Sequence, residues 1–282
     1  MSTQNKLSPS ELLTHTTTQI RGDLGSNKTS IGTGFFFNFQ IKDQTIPTII
    51  TNKHVIKDCK KLRFTINEAD ENGNRLNEKH LNGFLEQDDM EKFIVYHPEN
   101  NVDLCAIPIG GNLNNAITLG KKYYLKGINS SFIPTTDEWN ALTAIEDTTM
   151  VGYPDGIWDE KNNLPVIRRG VTATHPKIDY NGKSEFLIDT AVFTGSSGSP
   201  VYLFNQGSYA TDKGITMGSR VKLLGINYAV YTQTAKGNIT IEKTPTSIKP
   251  VTETKIPVNL GVIIKSTKIL DFEPFIQKLL DS

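Results

Sequence analysis

LIDTAVFTGSSGSP, residues 187–200, joins an apolar, β-prone run to a turn built almost wholly of Gly and Ser. The turn proper is Gly195-Ser196-Ser197-Gly198-Ser199-Pro200. A nucleophilic serine needs its hydroxyl at the apex of such a turn. It also needs backbone N–H groups aimed at the same point, to bind the oxyanion that forms on attack at a carbonyl. Glycines on both sides let the backbone approach closely. Read alone, the segment is more often an ordinary Gly/Ser turn between two strands.

The same texture recurs on both sides of it. Short β-branched and aromatic runs alternate with turn residues: THTTTQI (14–20), IGTGFFFNFQI (31–41), TIPTIITN (45–52), KLRFTINEA (61–69), KFIVYH (92–97) and DLCAIPI (103–109). TTMVGYP (148–154), VIRRGVTATH (166–175), SPVYLF (199–204), VKLLGINYAVY (221–231) and VNLGVII (258–264) continue it. The polar stretch 71–89, with Asn-Gly twice, reads as an extended hairpin or an exposed loop, and so does the Thr- and Lys-rich stretch 232–257. SPSELL (8–13) can open a brief helix. Helical periodicity is clear only in STKILDFEPFIQKLLDS (266–282), where apolar residues recur at three- and four-residue steps from Ile269 to Leu280. The class is therefore all-β with one closing amphipathic helix; composition does not choose between sandwich and barrel.

Hydrophobic residues make up 37% and charged residues 21% of the 282, which suits a globular chain. Lys plus Arg and Asp plus Glu are 30 each, so net charge gives no reason to expect nucleic acid or membrane as partner. No apolar stretch approaches the roughly 20 residues a membrane helix needs. The start lacks the basic-then-apolar pattern of a secretory leader, and the two cysteines, Cys59 and Cys105, suit a reducing compartment. Cytoplasm is the expectation, although a mature secreted form would look the same after cleavage.

Two further segments complete a possible chemistry. Thr51-Asn52-Lys53-His54-Val55 follows the strand PTII, and imidazole titrates near neutrality, which suits a base for a weak hydroxyl nucleophile. Asn101-Val102-Asp103-Leu104-Cys105-Ala106 places one acid before an apolar strand, where a carboxylate can accept the second imidazole N–H. Each has a bland reading, as a structural histidine or a turn aspartate. Together they stand in the order His, Asp, Ser, each at a strand end.

With these residues in view, the chain resembles the trypsin-like, chymotrypsin-fold serine peptidases, and within them the bacterial branch that includes HtrA-like and glutamyl-endopeptidase-like enzymes. Ile31-Gly32-Thr33-Gly34-Phe35 is similar to the family's strand before the histidine. Ile49 to Val55, Val102 to Ile107, Val151-Gly152-Tyr153-Pro154, Gly195 to Pro200 and Leu224-Gly225-Ile226-Asn227 match further segments in the right order, over roughly Ile20 to Ile264. The resemblance implies one peptidase domain over 1–282, made of two antiparallel six-stranded β-barrels. The N-terminal barrel would span about 15–115, the C-terminal barrel about 116–265 and the helix about 266–281. It implies Ser197 as nucleophile, His54 as general base, Asp103 as its orienting acid, and the N–H groups of Gly195 and Ser197 as oxyanion hole. The expected substrate is a protein or peptide. Cofactor and metal are expected to be none, since His15, His80, His97 and His175 show no metal-ligand spacing. A regulatory protein partner is allowed for, with no residue marking its surface.

Position 196 is Ser, where animal digestive members carry an Asp that pairs with a new N-terminus after cleavage, so that switch is not expected here. The family pattern places the S1 wall at Ala191, Val192, Phe193 and Thr194 and on the strand Asn227, Tyr228, Ala229 and Val230. That wall carries no charge, so a small or medium neutral P1 residue is expected. Cys59 and Cys105 lie on neighbouring segments in such a fold; two buried thiols are expected in preference to a disulfide. The competing classes are a peptidase fold that binds peptides without turnover, and an esterase using the same triad.

Overall fold

The computed structural model describes residues 7–211, 214–238 and 251–281. The strands of the first half are β1 (Thr17–Gly25), β2 (Lys28–Ile41), β3 (Gln44–Thr51), β4 (Lys61–Ala69), β5 (Arg75–Glu86), β6 (Val95–Tyr96), β7 (Cys105–Pro108) and β8 (Lys122–Tyr124). They form one antiparallel sheet in the order β5-β4-β1-β2-β3-β7-β6, with β8 added on β4. Ile20, Phe36, Ile49, Phe64, Leu85 and Ile107 come from six different strands and share one core, so the sheet rolls around it. The expectation of six strands is corrected to eight, because two-residue β6 and three-residue β8 extend the sheet at its margins.

The second half holds β9 (Asp147–Gly152), β10 (Val166–Thr172), β11 (Glu185–Asp189), β12 (Pro200–Asn205), β13 (Ser208–Thr211), β14 (Gly214–Met217), β15 (Arg220–Asn238) and β16 (Val251–Lys265). Six of these close a barrel, β10-β11-β16-β15-β12-β9, as expected, while β13 and β14 pair as a separate hairpin. The stretch read as loop or hairpin at 232–257 supplies paired arms of β15 and β16; positions 239–250 lie outside the described residues.

The run Phe35-Phe36-Phe37-Asn38-Phe39 shows how the halves join. Successive strand residues face opposite ways. Phe36 enters the first-half core, whereas Phe35, Phe37 and Phe39 enter a second core shared with Val151, Tyr202 and Ile226. All four phenylalanines are buried, because β2 is covered on both faces. Ile269, Phe272 and Ile276 of the chain end also enter that shared core, so the terminal segment packs across the seam.

That segment is not one α-helix. Ser266–Phe272 is a 3-10 helix and only Glu273–Leu280 is α. Pro274 stands in the first turn of the α part; its ring would clash with the carbonyl four residues back, so a continuous α-helix cannot run through it. KFIVYH is also corrected. A helix over Gln87–Phe93 takes its first residues, started by reciprocal capping between Glu86 and Asp89, and leaves only β6 as strand. The Asn82-Gly83 pair sits inside β5 and makes no turn. A Cβ at Gly83 would lie 2.1 Å from the Phe64 ring, so this glycine admits a core aromatic from the neighbouring strand. Among the described residues, no helix is long and apolar enough to cross a membrane.

Candidate active site

Antiparallel pairing of β3 with β7 sets the first part of the site. Thr51 lies opposite Cys105. The residues just after one strand and just before the other therefore meet, and these are His54 and Asp103. Asn52 ends the strand and opens a one-turn helix, Lys53–Ile56. The Asn52 side chain donates Nδ2–H to the Asp103 carbonyl at 2.7 Å. The His54 backbone N–H donates to Asp103 Oδ1 at 3.1 Å, and His54 Nδ1 stands 2.5 Å from Oδ2. The carboxylate thus grips residue 54 by backbone and ring together. A proton on Nδ1 in that contact leaves Nε2 with its lone pair, as a general base requires. The imidazole is 45% exposed and the carboxylate 24%, so a substrate can reach the pair.

The second part comes from the turn between β11 and β12. Ser196 N–H donates to Phe193 O at 3.0 Å, and Phe193 N–H donates to Ser196 Oγ at 3.3 Å, closing the turn on itself. Gly195 and Gly198 have φ of +82° and +85°. A Cβ at Gly195 would lie 2.6 Å from Tyr153 O, and one at Gly198 only 1.9 Å from Thr33 O. Neither position admits another residue without movement of the backbone. Among the described residues, the N–H groups of Gly195 and Ser197 have no protein acceptor. Two unpaired amides two residues apart suit capture of a developing oxyanion.

Thr33 of β2 fastens this turn to the first half. Its backbone N–H donates to Ser197 O at 2.8 Å, and its hydroxyl donates to Gly195 O at 3.0 Å. The same hydroxyl accepts from Tyr153 N–H at 3.1 Å and lies 3.2 Å from Ser199 Oγ, while its carbonyl accepts from Thr51 Oγ1 at 2.7 Å. Thr51 leads to His54, so one residue ties the serine turn to the strand that delivers the imidazole. No hydrogen bond joins Ser197 Oγ to His54; the structure bonds two of the three expected residues to each other and ties the third, through its backbone, to Thr33, which also bonds Thr51.

The remaining expected residues divide. Val192 packs into the barrel core with Ile188, Val201 and Ile263. Asn227 is buried, its Nδ2 donating to Ser196 O at 3.2 Å, and Val230 packs against the same core as Val192. The Tyr228 hydroxyl donates to Glu185 Oε1 at 2.9 Å, and burial, then that carboxylate, raises its pKa. Phe193 and Thr194 are exposed, and Ala191 and Ala229 are half-buried. A cavity of about 510 Å³ opens beside the imidazole, lined by Lys53, His54, Lys57, Met90, Tyr96 and Asp103 among others.

Cys59 and Cys105 are unpaired and buried. Burial pushes the Cys59 thiol up to about 11 and that of Cys105 further, so neither supplies a thiolate near neutral pH. No cluster among the described residues is placed to hold a metal ion. Sequence reading gave no role to Thr33, Asn52 or Arg168. Thr33 and Asn52 stand inside the quoted motifs. Arg168 could have been found from the alternation of VIRRGVT, which must turn one of two adjacent arginines inward.

The chain matches the family model of the trypsin-like peptidase domain over residues 32–209. No curated protein matches significantly. Among solved structures it is similar to the Rv3671c protease from M. tuberculosis in its active form, with 13% identity, 92% of this chain and 79% of that one covered, and a TM-score of 0.45. It is also similar to Deg5 (15% identity, 97% and 98% covered, TM-score 0.47). The thermostable serine protease AL20 from an extremophilic microorganism gives 12% identity, 94% and 98% covered, and a TM-score of 0.49.

Proposed function

This chain belongs to the trypsin-like peptidase family, and on that premise we propose that it is a serine endopeptidase using Ser197, His54 and Asp103. The observation that carries the reading is the pairing of a carboxylate-held imidazole with a serine turn whose two amides lack acceptors. Ser197 Oγ attacks the scissile carbonyl as its proton passes to His54 Nε2. The oxyanion is received by the N–H groups of Gly195 and Ser197. The imidazolium, held by Asp103, returns the proton to the leaving amine as the C–N bond breaks. Water then repeats the sequence on the acyl-enzyme and frees Ser197.

The residues expected to form the S1 wall, Ala191 to Thr194 and Asn227 to Val230, carry no charged side chain, which supports a small or medium neutral P1 residue. A peptide-library profile dominated by Arg, Lys or Glu at P1 would overturn that preference. The two unpaired cysteines support a reducing compartment.

A fluorophosphonate probe tests the mechanism. The adduct is expected on Ser197, located by mass, and absent from Ser197→Ala. The unbonded Ser197 hydroxyl favours one second reading, a peptide-binding fold without turnover; catalytic contacts are often long before substrate arrives and tighten in the complex. Folded wild-type protein that never labels would decide for that second reading.

A further inference from the structure

The loop that ends at Ser197 is fastened from beneath by a side chain no motif singled out. Arg168 and Arg169 are neighbours on β10, so they point to opposite faces. The Arg169 side chain is 70% exposed. Arg168 turns inward, and its Nη1 donates to Ala191 O at 2.6 Å and to Ser196 Oγ at 3.0 Å. One nitrogen thus holds both ends of the stretch that leads into the nucleophile. The Ser196 hydroxyl it reaches is the same one that closes the turn through Phe193 N–H.

Arg168 Nε and Nη2 are buried and, among the described residues, have no acceptor. Burial lowers the guanidinium to about 10, with Asp155 drawing it back, so it remains charged at neutral pH. Unpaired buried donors are costly, and an apolar side chain of similar length would avoid that cost. Stability alone therefore does not account for an arginine here. On the other side of the loop, Asp155 N–H donates to Thr194 O at 2.5 Å. The loop is clamped between the Tyr153–Gly156 turn and Arg168.

Resting on the reading of the site as a serine hydrolase, we propose that Arg168 is the positioning residue that holds the oxyanion-binding turn in working shape. The turn is then set by a side chain within the fold, without a processing event. Arg168 touches no reacting atom; it acts through Ser196 and the Ala191 carbonyl on the amides of Gly195 and Ser197.

The test uses the full chain with Arg168→Met, Arg168→Lys and Ser196→Ala, scored by thermal unfolding, by the rate of fluorophosphonate labelling, and by kcat and KM on one peptide. Arg168→Met is expected to unfold within a few degrees of wild type. Its kcat should fall about 100-fold, the scale of losing one oxyanion donor, with KM changed less than about threefold. Arg168→Lys should recover about tenfold of that loss, since an ammonium can meet one acceptor but lacks the fork. Arg168→Met combined with Ser196→Ala should lose less than the sum of the two single losses, because both break the shared Arg168–Ser196 contact, while only Ser196→Ala also frees Phe193 N–H. A kcat equal to wild type in Arg168→Met overturns the proposal; if that variant does not fold, unchanged kcat in both Arg168→Lys and Ser196→Ala does so. An acidic P1 preference in wild type that Arg168→Met abolishes also overturns it, and makes Arg168 a specificity residue. Wild type that never labels removes the hydrolase reading itself, an outcome distinct from a labelling wild type with an indifferent Arg168.

Discussion

His54 and Asp103 are fastened to each other by side-chain bonds within one sheet, whereas Ser197 is fastened through its backbone to a strand of the other half. The first arrangement needs only the β3–β7 register and two adjacent loop residues. The second needs a turn with two glycines at positive φ, the saturated hydroxyl of Thr33, and the halves held at one distance by a shared core. The His54–Asp103 pair is thus a local product of strand pairing, and the serine turn a product of packing between halves. Damage to the seam should silence the serine while leaving the dyad bonded.

The largest effect separates the chemistry from both supports. Ser197→Ala is expected to lower kcat by about 10⁶, as loss of the nucleophile does in other serine peptidases, with unfolding unchanged. Residual hydrolysis near the wild-type rate would mean that the turn binds substrate and another group reacts. Asp103→Asn comes next, at about 10⁴ in kcat. An amide in place of Oδ2 offers an N–H where the imidazole needs an acceptor, which favours the wrong tautomer. KM should stay near wild type, and labelling of Ser197 should slow in proportion to kcat. Equal losses in labelling and in peptide affinity would show that Asp103 shapes the cleft as well as the base.

Thr33→Val probes the seam directly. Valine keeps the shape but leaves Gly195 O and Tyr153 N–H without their partner, at about 1–3 kcal/mol. Urea unfolding should register that loss, and kcat should drop roughly tenfold, the kinetic equivalent of about 1.4 kcal/mol. NMR of the His54 ring proton bonded to Asp103 should be unchanged. A shifted or lost signal would break the contrast between a local dyad and a packed turn.

The division between local and packed also explains what the sequence made legible. The three proposed reacting groups, the two glycines and the strand texture are local signals, and all are visible in single segments such as TNKHV and GSSGSP. The Thr135-to-Glu138 capping box marks the start of the Thr136–Asn140 helix, but the stretch carries no helical periodicity to support that signal. Gly110–Thr118 offers no such signal. Its Gly- and Asn-rich turn is a poor helix former, anchored by the burial of Leu113, a tertiary effect. Thr33 and Arg168 are of that second kind, since an ordinary strand threonine or arginine gains its role only from what packs against it. The same holds for Gly83, whose Asn-Gly dipeptide signals a turn until the Phe64 ring claims the space.

The smallest effect lies at the N-terminal end of the seam. Next to His15, Thr16 accepts the Phe36 N–H at 2.8 Å and its hydroxyl lies 3.2 Å from the Tyr202 hydroxyl, one residue in contact with both halves. The His15 ring stands edge-on to Tyr124 with centroids 5.3 Å apart, and among the described residues its buried Nδ1 has no partner. Burial first, then the charges of Arg75 and Lys126, lower its pKa from 6.5 to about 4. The unfolded chain therefore binds a proton in a range where the folded chain does not, and stability must rise with pH there. The contribution is whole above about 6.5, shrinks as the pH falls, and is gone below about 4. His15→Phe keeps the ring contact and removes the proton. In denaturant melts at neutral pH and at pH near 4, it should flatten the acid loss by on the order of 1–2 kcal/mol, the shift being discounted for partial exposure. Wild type and His15→Phe losing stability in parallel would move the acid sensitivity elsewhere. The next group to examine is then His97, whose pKa burial also lowers and whose Nε2 lies 3.2 Å from Asp271 in the terminal segment, on the dyad side of the molecule.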